Sequence, residues 1–171
     1  HPVDLEKINE IARKHNLIVI EDGAHALGAE YKEDKVGSCR YSDMTILSFH
    51  PVKHITTGEG GAVLTNSKDL YDKLMALRTH GIVRENLKYY DENYDGNWYY
   101  EMQYLGFNYR ITDFQCALGI SQMNKLDNFV KRRREIAEVY NKKLSCIKEI
   151  ILPKEKDYAK SSYLLYPIRV E

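Results

Sequence analysis

Three side chains with complementary chemistry sit at or just beyond the ends of apolar, β-prone runs. Asp22 follows Leu17-Ile18-Val19-Ile20, Ser48 lies in the run from Met44 to Phe49, and Lys53 comes five residues after that serine. A hydroxylic, glycine-rich turn from Thr56 to Gly61 then leads into a second run, Ala62-Val63-Leu64-Thr65. Hydroxyls and the backbone N–H groups of such a turn are donors for a phosphate. A carboxylate next to an aromatic ring nitrogen keeps that nitrogen protonated and electron-withdrawing. A lysine forms a Schiff base with an aldehyde once its amine is deprotonated, and a free pKa of about 10.4 must first be lowered by burial or a neighbouring cation.

Pyridoxal phosphate is the cofactor that offers phosphate, ring nitrogen and aldehyde together. Each residue alone also has a plainer role. Asp22 fits the cap of a following helix, Ser48 an ordinary strand-end hydroxyl, and Lys53 a solvated loop charge. Spacing by itself leaves both sets of roles open.

The elements that must position these residues alternate in type. Asp4 to Lys14 has Leu5, Ile8, Ile11 and Ala12 at helical spacing, with Asp4 as its cap. Leu17 to Ile20 is a continuous apolar run, which predicts a strand buried on both faces, as in a parallel sheet. Met44–Phe49 and Gly61–Thr65 follow as strands, and Ser67 caps a helix running to about Arg78. In open α/β sheets, ligands gather at the carboxyl ends of strands, where Asp22, His25 and Ser48 fall. Thr112 with Gln115 three residues later predicts a capping box, opening a helix that turns Phe114, Ala117, Leu118 and Leu126 to a core. Lys131-Arg132-Arg133-Arg134 begins a further helix with an Ile136, Val139 and Tyr140 stripe, and its charges predict a solvated face. Between Gly81 and Gly106, Tyr89, Tyr90, Tyr94, Trp98, Tyr99, Tyr100 and Tyr104 crowd an aperiodic stretch. Such a stretch fits a ligand wall or interface and a self-packed loop equally well. Pro153 to Lys160 predicts a linker, and Tyr163 to Val170 a new strand.

With 171 residues, 43% hydrophobic and 29% charged, the chain has the composition of a globular protein of about one domain. A formal net charge of zero argues against a nucleic-acid or polyanion binder. No apolar run approaches the length that spans a bilayer. Cys39, Cys116 and Cys146 are odd in number and lack metal-ligand spacing, which fits buried thiols in a reducing cytoplasm. The chain opens on His1-Pro2 and finishes inside a predicted strand, so the ends predict a piece of a longer protein.

Five motifs occur in one order: Glu21 to Ala29, Ser48-Phe49-His50-Pro51-Val52-Lys53, Gly58-Glu59-Gly60-Gly61-Ala62-Val63, Arg78-Thr79-His80-Gly81, and Gly106-Phe107-Asn108-Tyr109-Arg110. The series resembles that of the DegT/DnrJ/EryC1/StrS nucleotide-sugar aminotransferases over nearly the whole chain. The resemblance implies part of the large domain of an aspartate aminotransferase-like α/β architecture (pyridoxal phosphate fold type I), a mostly parallel sheet flanked by helices. Residues 1–150 would form the middle and end of that domain, and 151–171 a linker and the first strand of a small one. It implies Lys53 as the Schiff-base lysine, Asp22 at the pyridine nitrogen, His25 near the ring hydroxyl and Ser48 at the phosphate. Asn108 would reach the phosphate of a neighbouring subunit's cofactor, making a homodimer part of the site. Arg110 and His80 would bind substrate.

Leu164 stands where a His is common in the family. Within the family, the motifs are most similar to those of the branch that moves an amino group from glutamate to C4 of a UDP-4-keto-6-deoxy-N-acetylhexosamine, a pseudaminic acid-type step. A UDP-4-keto-pentose enzyme is the nearest rival, and other 3- or 4-keto sugars and a non-catalytic fold relative are the alternatives. A dehydratase branch carries His at the lysine position, and Lys53 speaks against it.

Overall fold

The computed structural model describes residues 1–89 and 98–170. In chain order its elements are α1 (Leu5–Lys14), β1 (Ile20–Asp22), β2 (Glu30–Tyr31), β3 (Asp34–Lys35), β4 (Met44–Ser48), β5 (Gly61–Leu64), α2 (Lys68–Arg78), β6 (Ile82–Val83), β7 (Glu101–Met102), α3 (Asp113–Met123), α4 (Leu126–Leu144), β8 (Ile150–Ile151), β9 (Ala159–Lys160) and β10 (Arg169–Val170). The α/β class expected from the sequence holds. The chain forms two compact units, His1–Asn66 with Asp113–Glu171, and Ser67–Thr112.

The first unit is built on the sheet β1-β4-β5. Strand β1 runs parallel to β4, with Asp22 opposite Ile46, and β4 runs antiparallel to β5, with Ser48 opposite Gly61. Pleating sends successive side chains to opposite faces. Thr45 and Leu47 are buried on one face, where Leu47 clusters with Leu27, Ile55 and Leu126. Ile20, Asp22, Ile46, Ser48 and Val63 share the other face, and Ile20, Ile46 and Val63 are exposed there. Burial on both faces, expected for the run from Leu17, is therefore not found. Leu17 and Ile18 are exposed as well, and the ladder begins only at Ile20. The Val19 N–H donates to Asp43 Oδ2 at 2.7 Å and its carbonyl accepts from the Asp43 N–H at 2.9 Å. Those bonds satisfy the backbone just before the strand without a sheet partner.

The caps expected at Asp4 and Ser67 form. Asp4 Oδ1 accepts from the Lys7 N–H at 3.3 Å, and Ser67 Oγ from the Leu70 N–H at 3.4 Å. The β2–β3 hairpin, turning through Lys32 at φ 54°, had no signal in the periodicity. Its β2 pairs with β9, so the predicted linker ends in a strand. Only Arg169–Val170 of the predicted final strand is one, paired with Ile150–Ile151. Before it, the backbone of Ser161, Tyr163 and Leu164 accepts hydrogen bonds from α4 instead of joining a sheet.

The two later helices depart from their patterns. Phe114, Ala117 and Leu118 of α3 face outward, Phe114 being 91% exposed, while Leu126 alone of that set is buried. Gln115 reaches away to donate from Nε2 to the Glu59 carbonyl at 2.9 Å, tying α3 to the glycine turn. On α4, Ile136, Val139 and Tyr140 are exposed and Ala137 is buried. The basic run is not simply a solvated face. Arg134 makes a two-nitrogen pair with Glu155 at 2.9 and 3.2 Å and donates to the Ser161 carbonyl at 2.6 Å. Arg133 Nη1 donates to the carbonyls of Tyr163 and Leu164 at 3.4 and 3.3 Å. Of the three free cysteines only Cys39 is buried, its Sγ 3.4 Å from Thr45 Oγ1.

The second unit explains much of the tyrosine-rich stretch. Its ends are zipped by β6 against β7, Ile82 opposite Met102. Glu101 is buried and accepts from the Lys88 and Tyr89 N–H groups, both at 2.7 Å, from Gln103 Nε2 at 2.9 Å and from the Tyr99 hydroxyl at 3.3 Å. The described flanks of the loop, Lys88–Tyr89 and Tyr99–Gln103, thus meet at one carboxylate. Tyr90 and Tyr94 lie outside the described residues.

Candidate active site

Strand direction places the first four candidates. Because β1 and β4 are parallel, Asp22 and the Ser48 end of β4 point the same way. Register puts Asp22 beside Ile46, two residues before Ser48 on the same face, so their Cα atoms are about 8 Å apart. Asp22 Oδ1 accepts from the Ala24 N–H at 3.1 Å, which fixes the carboxylate at the strand end. His25 follows in that turn. Ser48 Oγ accepts from the His50 N–H at 3.4 Å.

Lys53 lies in the β4–β5 connection, a loop bonded largely to itself. Its N–H donates to the His50 carbonyl at 2.9 Å, and the Phe49 carbonyl accepts from the Thr57 N–H and from Thr56 Oγ1 at 3.0 and 3.1 Å. Phe49 in turn donates to the Gly60 carbonyl at 2.8 Å. Half-buried Lys53 is followed by two buried residues, His54 and Ile55. Ile55 enters the core with Leu47, and that burial pins the loop beneath the lysine.

His54 had no functional signal in the sequence, where it is one polar residue among several. Its Nε2 lies 3.2 Å from the Ser162 carbonyl, a contact across 108 positions of chain. Burial above all, and then the charges of Arg133, His25 and Lys53, lower its pKa to about 4, against the raising effect of the bond to Ser162. Lys53, His25 and His54 therefore share one electrostatic neighbourhood. His25 also borders a cavity of about 200 Å³ whose wall includes Tyr163, Leu164 and Leu165. Leu164, where the family commonly has His, thus faces the same space as His25.

Asn108, Arg110 and His80 belong to the other unit and are exposed. There the two later motifs pair with each other. The His80 N–H donates to the Phe107 carbonyl and the Tyr109 N–H to the Arg78 carbonyl, both at 2.9 Å, with a Thr79–Asn108 bridge between them. Asn108 Oδ1 accepts from the Arg110 N–H at 3.4 Å. Gly81 has φ 71°, and a Cβ on it would overlap the Tyr104 carbonyl. A side chain at Gly106 would likewise meet the backbone of Gly81 and Leu77. The motif glycines are needed because two backbones touch.

The donor set suits a phosphorylated aldehyde with a basic ring nitrogen. Ser48 and the glycine turn offer donors, Asp22 a carboxylate and Lys53 an amine. At Gly61 a Cβ would lie 2.6 Å from the Leu47 carbonyl oxygen, so only glycine lets the turn enter β5 this close to Ser48. Among the described residues no group of three or more His, Cys, Asp or Glu is placed to hold a metal ion, and no helix is long and apolar enough to cross a membrane.

The α/β sheet carries a carboxylate and a hydroxyl at its strand ends, with a lysine in the connection that follows β4. The chain belongs to the DegT/DnrJ/EryC1/StrS aminotransferase family, whose profile matches residues 1–171. It is 47% identical over 166 residues to the UDP-4-amino-4,6-dideoxy-N-acetyl-beta-L-altrosamine transaminase of Campylobacter jejuni strain 81-176, covering 97% of this chain and 41% of that enzyme. It is 38% identical over 150 residues to GDP-perosamine synthase of Escherichia coli O157:H7, covering 88% of this chain and 37% of that protein. Helicobacter pylori PseC, an aminotransferase involved in the biosynthesis of pseudoaminic acid, superposes with a TM-score of 0.87 at 34% identity over 99% of this chain and 43% of that one. The chain thus spans about two fifths of the length of these relatives.

Proposed function

We propose that this chain is part of a pyridoxal phosphate-dependent aminotransferase that moves an amino group from glutamate to C4 of a UDP-4-keto-6-deoxy-N-acetylhexosamine. The observation that carries the reading is the register of β1 on β4, which brings Asp22 and Ser48 to one end of one sheet face beside the Lys53 loop. The 47% identity to the altrosamine transaminase supports the sugar.

When bound, pyridoxal phosphate supplies an aldehyde that carries the amino group and a ring that withdraws electrons from the bond being broken. Lys53 Nζ would hold the cofactor through its aldehyde and, as a free amine, would serve as the general base that takes and returns a proton. Asp22 keeps a proton on the ring nitrogen. Ser48 and the backbone of Gly58–Gly61 would hold the phosphate, and His25 would lie near the ring hydroxyl. Asn108 would reach the phosphate in a neighbouring subunit, which would make the working unit a homodimer with shared sites. Arg110 and His80 contact the substrate. Residues 1–150 belong to the cofactor domain and 151–171 lead into a smaller one. The reaction takes place in the cytoplasm and feeds cell-surface polysaccharide.

The full-length enzyme, glutamate and a panel of UDP-, dTDP- and GDP-linked 4-keto sugars test the reading by product analysis. The GDP arm answers to the likeness to GDP-perosamine synthase, which favours that second substrate. Borohydride should fix the cofactor to the Lys53 peptide in the unaltered protein and not in Lys53→Ala. Labelling or turnover that survives Lys53→Ala would sink the assignment.

A further inference from the structure

His54 is an unusual neighbour for a reactive lysine. It is 4% exposed, and Ser162, whose carbonyl lies beside its Nε2, is 1% exposed. A carbonyl only accepts, so the ring proton sits on Nε2 and Nδ1 is a bare acceptor. Nδ1 and the Ser162 hydroxyl are both buried without a hydrogen-bond partner. Buried polar atoms left unpaired are costly, and a core built for stability alone replaces such a pair with apolar groups. Arg133 on α4, His25 in the turn after β1 and Lys53 on its own loop all act on the ring electrostatically. Burial above all, with these charges behind it, lowers the pKa of the ring to about 4 and keeps the imidazole neutral at neutral pH.

The far side of this contact is a seated segment. Tyr163 is forced to φ 47°, and Arg133 and Arg134 grip the carbonyls of Ser161, Tyr163 and Leu164. Glu155 accepts from the Ser161 N–H and pairs with Arg134. The same segment walls the cavity that His25 borders. One hydrogen bond thus joins the lysine loop to a cavity wall held by α4.

We propose that His54 is a positioning residue through which the seating of the Ser161–Leu164 segment is transmitted to Lys53. A group entering the cavity displaces the wall, the wall moves Ser162, and the imidazole carries that shift to the residue next to the lysine. This rests on the reading of Lys53 as the residue that holds the cofactor. It adds a way for occupancy of that cavity to set the lysine's position.

A double-mutant cycle in the full-length protein tests it, with His54→Ala and Arg134→Lys as the arms and His54→Gln as the conservative variant. The first readout is the rate at which Lys53 is captured by added pyridoxal phosphate and borohydride. Each single change should slow capture about two- to tenfold, the range one neutral hydrogen bond carries. The double variant should be no slower than the slower single, because the second change acts through a link already cut. His54→Gln, whose amide also donates to a carbonyl, should restore the rate. The second readout is backbone hydrogen exchange at residues 50–57 without cofactor. Arg134→Lys should speed it in the His54 protein and leave it unchanged in His54→Ala. Additive effects in both readouts, or no rescue by Gln, would overturn the proposal. Absence of Lys53 capture in the unaltered protein counts against the proposed function instead, and the exchange readout still decides the coupling.

Discussion

Ser48 and Gly61 face each other across the β4–β5 ladder, and a single added carbon at Gly61 would lie 2.6 Å from the Leu47 carbonyl oxygen. The candidate phosphate hydroxyl is thus held against a strand that tolerates no side chain at that point. Gly61→Ala should force the two strands apart and destabilise the protein by about 1–3 kcal/mol. Cofactor affinity should fall with it. Urea unfolding and titration with pyridoxal phosphate measure both, and a full loss of affinity with unchanged stability would mean that Gly61 contacts the ligand itself.

Gly81→Ala meets two penalties at once, a left-handed backbone at φ 71° and overlap with the Tyr104 carbonyl. Destabilisation of about 3 kcal/mol is expected. The bonds from His80 and Tyr109 to the neighbouring motif should open first. Faster amide exchange at those two residues, read by mass spectrometry or NMR, checks it.

Glu101 ties the two described flanks of the tyrosine-rich stretch together, and its pKa follows from that role. Burial alone would raise it, yet hydrogen bonds from Lys88, Gln103, Tyr89 and Tyr99 outweigh burial and leave it below the ordinary carboxylate value. A depressed carboxylate stabilises the fold above its unfolded pKa, and that contribution is lost as pH falls through the folded value. Glu101→Gln should remove this acid sensitivity and speed exchange at the Lys88 and Tyr89 amides, with little effect on the Asp22–Lys53 region.

His54 titrates with the opposite chemistry and the same outcome. Its folded pKa of about 4 lies below the ordinary 6.5, so the unfolded chain binds more protons between those values. Stability is therefore full above pH 6.5 and is lost as pH falls toward 4, with a slope approaching about 1.4 kcal/mol per pH unit for one proton. His54→Gln should flatten that part of the curve. A urea-midpoint series from pH 7.5 to 4.5 distinguishes the two proteins, and identical curves would show that His54 binds its proton equally in the folded and unfolded states.

Helix starts and strands were legible in both units because their signals are local. Asp4 and Ser67 cap their helices through bonds to residues three positions on, and the runs ending at Ser48 and Leu64 form strands where their β-prone residues lie. What failed was burial. The apolar character of Leu17, Ile18, Phe114 and Val139 does not say which of them a neighbour covers, and all four are exposed.

The sequence by itself determined which groups are available: a lysine, a carboxylate, a hydroxyl and a glycine turn, in motifs whose order marks the family. Those are properties of residue type and short spacing, which composition and local backbone preference set directly. Tertiary structure alone decided which of them meet. The parallel register of β1 on β4 brings Asp22 to the Ser48 end of one face. The fold of α4 turns Arg133 and Arg134 from a solvated run into a clamp on Ser161–Leu164. A contact across 108 positions makes His54 the neighbour through which that clamp touches Lys53. Such contacts depend on chain closure over long loops, and no periodicity within a helix or strand encodes them.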